Sequence, residues 1–164
     1  MRSILISLFV VSLLACHQET HDGGQNLQHQ MDSLRNKINH AYSPGVGEFM
    51  SSIQMHHAKL WFAGKNENWE LANFEMEEIQ ESLDDIQQYC ADSPSIKPLP
   101  MIFPPLDSLR LAISEKNIGK FKSGFNLLTN TCNNCHKATN HAFNVIRIPD
   151  IPPVTNQVFE KSSQ

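Results

Sequence analysis

The sequence predicts an all-α chain: an antiparallel four-helix bundle with a Pro-rich connection between the second and third helices and an extended C-terminal tail. Three observations predict it. Apolar residues recur at spacings of three and four through four separate segments, the period of helices that each bury one face. No segment of any length alternates with the period of two that a half-buried strand requires. Five of the nine prolines fall between Ser93 and Pro105 and three more follow Phe143, so the helical segments are almost free of them.

The chain opens on Met1-Arg2-Ser3, one positive charge ahead of an apolar run from Ile4 to Ala15. That run is short for a membrane span and reads as a secretory signal over residues 1–15. It ends Leu13-Leu14-Ala15-Cys16, which resembles the bacterial lipobox, where cleavage leaves a lipid-modified cysteine at the new N-terminus. The alternative is ordinary cleavage near Ala15, with Cys16 an unmodified thiol. His17 rather than Asp follows Cys16, and by resemblance to Gram-negative lipoproteins this favours the outer membrane. The expectation is an exported protein on the periplasmic face of a bacterial membrane, held by its lipid anchor alone. Residues 16–42 then form a flexible tether, polar and containing Gly23-Gly24, although residues 28–42 fit either a short helix or more linker.

The bundle is expected over residues 43–142. Ser43-Pro44 has the form of a helix start, Ser43 as cap and Pro44 in the first turn, and Gly64 of a stop. Between them Val46, Phe49, Met50, Ile53, Leu60, Trp61 and Gly64 share a face, with His57 near its middle, His56 at its edge and Met55 on the opposite side. A second helix from about Glu67 to Cys90 carries Trp69, Ala72, Met76, Ile79, Leu83, Ile86 and Cys90 as one stripe. Glu70, Glu75, Glu77, Glu78 and Glu81 flank that stripe and are expected in solvent, and Cys90, on the stripe, as a buried inert thiol. The prolines of residues 93–105 exclude a regular helix there. A third helix covers Leu106 to Lys116, Asn117-Ile118-Gly119 breaks it, and a fourth runs from about Lys120 to Thr139. In the fourth, Phe121, Phe125, Leu128, Cys132 and Cys135 step at three and four, which puts both cysteines on the apolar face. Residues 143–164, with Pro149, Pro152 and Pro153, form the surface tail.

Composition narrows the function. The net charge is −4 and no long basic run occurs, which argues against nucleic acid as a partner. No second metal motif, nucleophile constellation or cofactor loop points to an enzyme. Cysteine usage is the informative part. A framework of two disulfides would need Cys16 and Cys90 to pair with Cys132 and Cys135, and nothing else in the chain points to dependence on disulfides.

Cys132-Asn133-Asn134-Cys135-His136 instead reads as a covalent haem attachment site. Two thiols one helical turn apart can add across the two vinyl groups at one porphyrin edge, forming thioethers. The adjacent imidazole of His136 then reaches the iron as an axial ligand, and a neutral imidazole suits iron in both oxidation states. Haem attachment in bacteria takes place outside the cytoplasm, in agreement with the export signal. A zinc site would need two more ligands, His136 or His141 plus one remote residue, and the second closely spaced pair usual in structural zinc sites is missing. A thioredoxin-like pair would open a helix after a strand, whereas these cysteines lie late in a helical pattern.

A helical domain with one C-x-x-C-H in its last helix resembles the cytochrome c prime superfamily. Residues 121–132, FKSGFNLLTNTC, are similar to that family's F-x-x-x-F-x-x-L-x-x-x-C approach to the motif, and the resemblance spans about Pro44 to His141. The stretch Met55 to Gly64 with Asn68-Trp69 also resembles a bacterial subgroup of small c-type cytochromes. Where the family usually has Arg or Lys four residues after the ligand His, this chain has Asn140, with His141 next. The resemblance implies one covalent haem c, a redox partner protein and a homodimer. It also implies two chemistries. A sixth protein ligand closes the iron for one-electron transfer, and an open iron binds nitric oxide or carbon monoxide. A role as accessory haem subunit of a larger redox complex is a third reading. His57 and Met50, on the apolar face of the first helix, are the candidates for the second axial ligand, each against the alternative of core packing. His56 ranks below them and Met55 last.

Overall fold

In the computed structural model the described residues are Thr20–Ala41 and 44–161, with side chains described over 24–38 of the first stretch. The signal segment 1–15, the lipidation candidate Cys16 and the cap candidate Ser43 lie outside them. The described chain is all-α, with five helices, antiparallel helix contacts and no strand among the described residues. The helices are α1 (Thr20–Ala41), α2 (Val46–Lys65), α3 (Trp69–Tyr89), α4 (Phe103–Ser114) and α5 (Ile118–Ala138). Two 3₁₀ turns, Pro94–Ile96 and Leu99–Ile102, lie between α3 and α4. The chain divides into two compact units at Ser43/Pro44. No described helix is long and apolar enough to cross a membrane.

α1 is the fifth helix. The segment expected to be a flexible tether is helical from Thr20 to Ala41, through Gly23-Gly24. Leu27, Met31, Leu34 and Ile38 recur at four, three and four and lie on one face, all exposed. Polar composition obscured this narrow stripe.

The second unit is two helical hairpins. α2 packs along α3 and α4 along α5, with α3 also meeting α4, and α2 meeting α5. Both hairpins close with the same three-residue turn. Asn66-Glu67-Asn68 and Glu115-Lys116-Asn117 each place the middle residue in the left-handed region, φ 57° at Glu67 and 53° at Lys116. Asn68 N–H then donates to Ala63 O at 3.0 Å and Glu67 N–H to Gly64 O at 3.0 Å, the paired bonds of a Schellman motif. Asn117 N–H to Ala112 O and Lys116 N–H to Ile113 O, both 3.0 Å, repeat it. Each turn ends in an Asn that caps the next helix. Asn68 Oδ1 accepts from Leu71 N–H at 3.2 Å and Asn117 Oδ1 from Lys120 N–H at 3.0 Å.

Four boundaries differ from expectation, each for a local reason. α2 begins at Val46 with Gly45 as an extended N-cap, so Pro44 precedes the helix, buried, its carbonyl accepting from the Cys90 thiol at 3.4 Å. Gly64 lies inside α2, because the ring of Phe121 sits where its side chain would be. Pro104 and Pro105 sit in the first turn of α4, where a helix needs no N–H donor, so α4 starts at Phe103. Asn117 is a cap rather than a break, and α5 starts at Ile118.

The stripes meet in one core. Leu60, Met76, Leu83, Ile86, Leu106, Leu109, Phe121, Phe125 and Leu128 are buried in it. Aromatic rings join α2 to α5 through Trp61, Phe121 and Phe125, with ring centroids 5.0 Å apart for Trp61–Phe125 and 5.9 Å for Phe121–Phe125. From His141 to Lys161 the chain has neither helix nor strand. Near its end Phe159 is buried against Phe62, ring centroids 5.7 Å apart, and Asn68 Nδ2 donates to Glu160 O at 3.2 Å.

Candidate functional site

The apolar face of α5 ends in Cys132 and Cys135, one turn apart, with His136 directly after. Across from them the first half of α2 presents Val46, Met50, Ile53 and His57 at spacings of four, three and four. These residues line one cavity of about 230 Å³, closed by Leu83 of α3, the Leu99–Ile102 turn and the tail residues His141, Asn144 and Ile146. The motif of α5 and both axial candidates of α2 thus share one cavity.

Both thiols are free. Burial pushes the Cys132 thiol up to about 12, with Cys135 adding to the effect. Burial raises Cys135 as well. These are protonated thiols, the reverse of the lowered, nucleophilic thiol of a redox-active C-x-x-C.

His136 is held in one tautomer. Its Nδ1–H donates to the carbonyl of Asn144 at 2.7 Å, which leaves Nε2 as the nitrogen a metal could use. The end of α5 creates this bond. Asn140 adopts φ 63°, and His141 N–H donates to His136 O at 2.7 Å, closing a third Schellman motif that reverses the chain. Asn144 N–H donates to His141 O at 2.8 Å, and the Asn144 carbonyl meets the Nδ1 edge of the His136 ring. The sequence departure at Asn140 and His141 is therefore the turn that presents the acceptor.

His57 is buried, at 4% exposure, and its ring lies 4.4 Å from that of Phe125. Nε2 lies 2.9 Å from Thr129 Oγ1, and that hydroxyl donates to Phe125 O at 2.8 Å. With its proton committed, the Thr129 oxygen accepts, so His57 carries its proton on Nε2. Burial lowers His57 to about 4, so the ring is neutral at pH 7. Met50 is half-buried and packs against the core beside the cavity. Met55 is exposed.

His56 faces α3 instead. Its Nδ1 lies 2.7 Å from Glu75 Oε2. Glu75, expected in solvent with its neighbours, is fully buried, and its Oε1 has no hydrogen-bond partner among the described residues. Glu75 sits three residues after Ala72 and four before Ile79, on the buried stripe itself, and His56 supplies the polar contact that burial demands.

Asn133, between the two cysteines, was not singled out by the motif. Its side chain makes two opposed bonds to the backbone of Ile146, Nδ2–H to the carbonyl and the Ile146 N–H to Oδ1, both 2.8 Å. Only the general rule that Asn pairs readily with backbone could have pointed to it. Among the described residues no group of three or more His, Cys, Asp or Glu side chains is arranged to hold a metal ion.

The residues fit a covalently held haem on three counts. Two free thiols sit one turn apart at the cavity wall, the adjacent His136 has Nδ1 bonded to a carbonyl and leaves Nε2 as its other ring nitrogen, and the lining is largely apolar. Comparison of the chain with protein-family models, curated proteins and solved structures returned no match.

Proposed function

We propose that the chain is a haem-c protein that carries single electrons in the bacterial periplasm or at the outer membrane, built as a four-helix bundle of α2 to α5 and resembling the cytochrome c prime superfamily. The observation that carries the reading is the tautomer of His136. A carbonyl bond to the outer ring nitrogen is how proteins orient an imidazole for a metal and raise its basicity, and here it occurs on the histidine of a C-x-x-C-H. Haem c, when bound, supplies a reversible one-electron iron couple. Cys132 and Cys135 would hold it through thioethers, the S–H of each adding across one vinyl group. His136 would be its axial ligand. The apolar lining excludes water and so helps set the potential. The chain acts as a carrier rather than an enzyme. A redox protein is its partner, lipid on Cys16 its membrane anchor, and homodimerisation follows from the resemblance.

A second reading has its own observation. His57 keeps its proton on Nε2 and gives it to Thr129, which withholds that nitrogen from a metal. This favours Met50 over His57 as the second protein ligand, or an open sixth position that takes nitric oxide or carbon monoxide. The absorption spectrum of the purified protein decides. The carrier reading expects a low-spin ferrous spectrum indifferent to carbon monoxide and altered by Met50→Ala or by His57→Ala, whichever residue is the ligand. A high-spin ferrous spectrum that shifts promptly with carbon monoxide would replace it with the gas-binding reading. A pure chain with no covalent haem would sink both.

A further inference from the structure

The tail contributes more to this site than cover. Residues 141–146 form a short loop fastened at both ends to the helix that bears the motif. At its start His141 N–H is bonded to His136 O at 2.7 Å. At its end the Asn133 amide grips Ile146 by carbonyl and N–H together, both at 2.8 Å, as a neighbouring strand would. Between the two fastenings lies the Asn144 carbonyl that accepts from His136 Nδ1–H. A carbonyl on an otherwise free coil would wander over several ångströms, and the ring would then turn or bond to water. Here the same turn of α5 that carries the thiols also fixes the acceptor that orients the ligand.

We infer that residues 141–146 are a ligand-orienting strap and that Asn133 is the positioning residue that pins it, setting the plane and the donor strength of His136. The inference rests on the haem reading. A firm Nδ1–H bond to a carbonyl pushes electron density toward Nε2 and favours ferric iron. Loosening the strap therefore raises the reduction potential.

The test uses the full chain matured with haem, as wild type, Asn133→Ala, Asn133→Asp and Ile146→Pro. Asn133→Ala removes both bonds, Asn133→Asp keeps the acceptor but loses the donor, and Ile146→Pro removes the N–H while leaving α5 untouched. Three quantities are read: covalent haem content, midpoint potential, and solvent exchange of the His136 Nδ1 proton by NMR. The expected result is unchanged haem content with faster exchange of that proton. The potential should rise in Asn133→Ala by an amount that shifts the oxidised-to-reduced ratio about tenfold, which is 59 mV for one electron. Ile146→Pro should fall between it and wild type, whereas Asn133→Asp, whose carboxylate lowers the potential by its charge, is read by its faster proton exchange alone. Variants that hold haem with the potential and proton exchange of wild type overturn the strap and leave the haem reading standing. A wild-type chain without covalent haem overturns both. Should Asn133→Ala fail to fold, Ile146→Pro carries the comparison alone, and an unchanged potential in it is decisive against the strap.

Discussion

Gly64→Ala should destabilise the protein although it replaces glycine by a better helix former. An added Cβ would lie 2.0, 2.3 and 2.4 Å from Cζ, Cε1 and Cε2 of Phe121, whereas carbon atoms rest about 3.5–4.0 Å apart. The ring would have to retreat by about 1.5 Å. It has no room, being fully buried with Trp61 at 6.2 Å, Trp69 at 5.9 Å and Phe125 at 5.9 Å between ring centroids. Overpacking of this kind costs about 1–3 kcal/mol or more, and a contact this short belongs at the upper end. The helical preference of Ala over Gly returns at most about 1 kcal/mol. The net loss is then about 2 kcal/mol, or roughly 8 °C in Tm at about 4 °C per kcal/mol for a unit of this size. Thermal unfolding followed by helical circular dichroism measures it. Gly47→Ala, also in α2 but with nothing within 4 Å of an added Cβ, should leave Tm equal or slightly raised. A Gly64→Ala protein that melts with or above wild type would refute the packing argument.

Two further outcomes follow from described contacts. His57 is depressed from 6.5 to about 4 by burial, so the unfolded chain takes up its proton first as pH falls. The stability His57 contributes is thus complete above pH 6.5 and is lost on descending toward pH 4, by up to about 3 kcal/mol at 1.36 kcal/mol per unit. Denaturant titrations of wild type and His57→Gln at pH 7 and pH 4.5 should show a markedly steeper loss in wild type, and parallel losses would contradict the assignment. At the second turn, Lys116→Gly should stabilise by about 0.5–1 kcal/mol, because Lys116 holds φ 53° and is exposed. A lower midpoint in urea would count against left-handed strain there.

The helices that carry the core were legible because their stripes are long and regular. Phe121, Phe125, Leu128 and Cys135 lie buried at the spacing that identifies them in the sequence. Local chemistry was harder to place. Asn68 and Asn117 are ordinary caps, yet a break and a cap look alike until the next helix is seen to start. Gly64 looks like a stop because the sequence does not reveal that Phe121 will occupy its missing side chain. Glu75 reads as solvated with the other glutamates until His56 is found opposite it. Least legible were the bonds of Asn133 and of the Asn144 carbonyl. They join a helix to irregular backbone ten or so residues later, and such pairing leaves no periodicity in the sequence.

The identical turns of the two hairpins bear on how quickly the chain finds its structure. Each turn satisfies its bonds within six residues, so α2 with α3 and α4 with α5 can each zip closed through short loops at little entropic cost. Contacts that are near in sequence favour rapid folding. The demanding event is the meeting of the two hairpins across the proline-rich connection, when α5 brings Phe121 against Gly64 and Thr129 against His57. Where that meeting limits the rate, substitutions at those two junctions should slow folding more than equally costly ones within a hairpin, which stopped-flow refolding of Gly64→Ala would read.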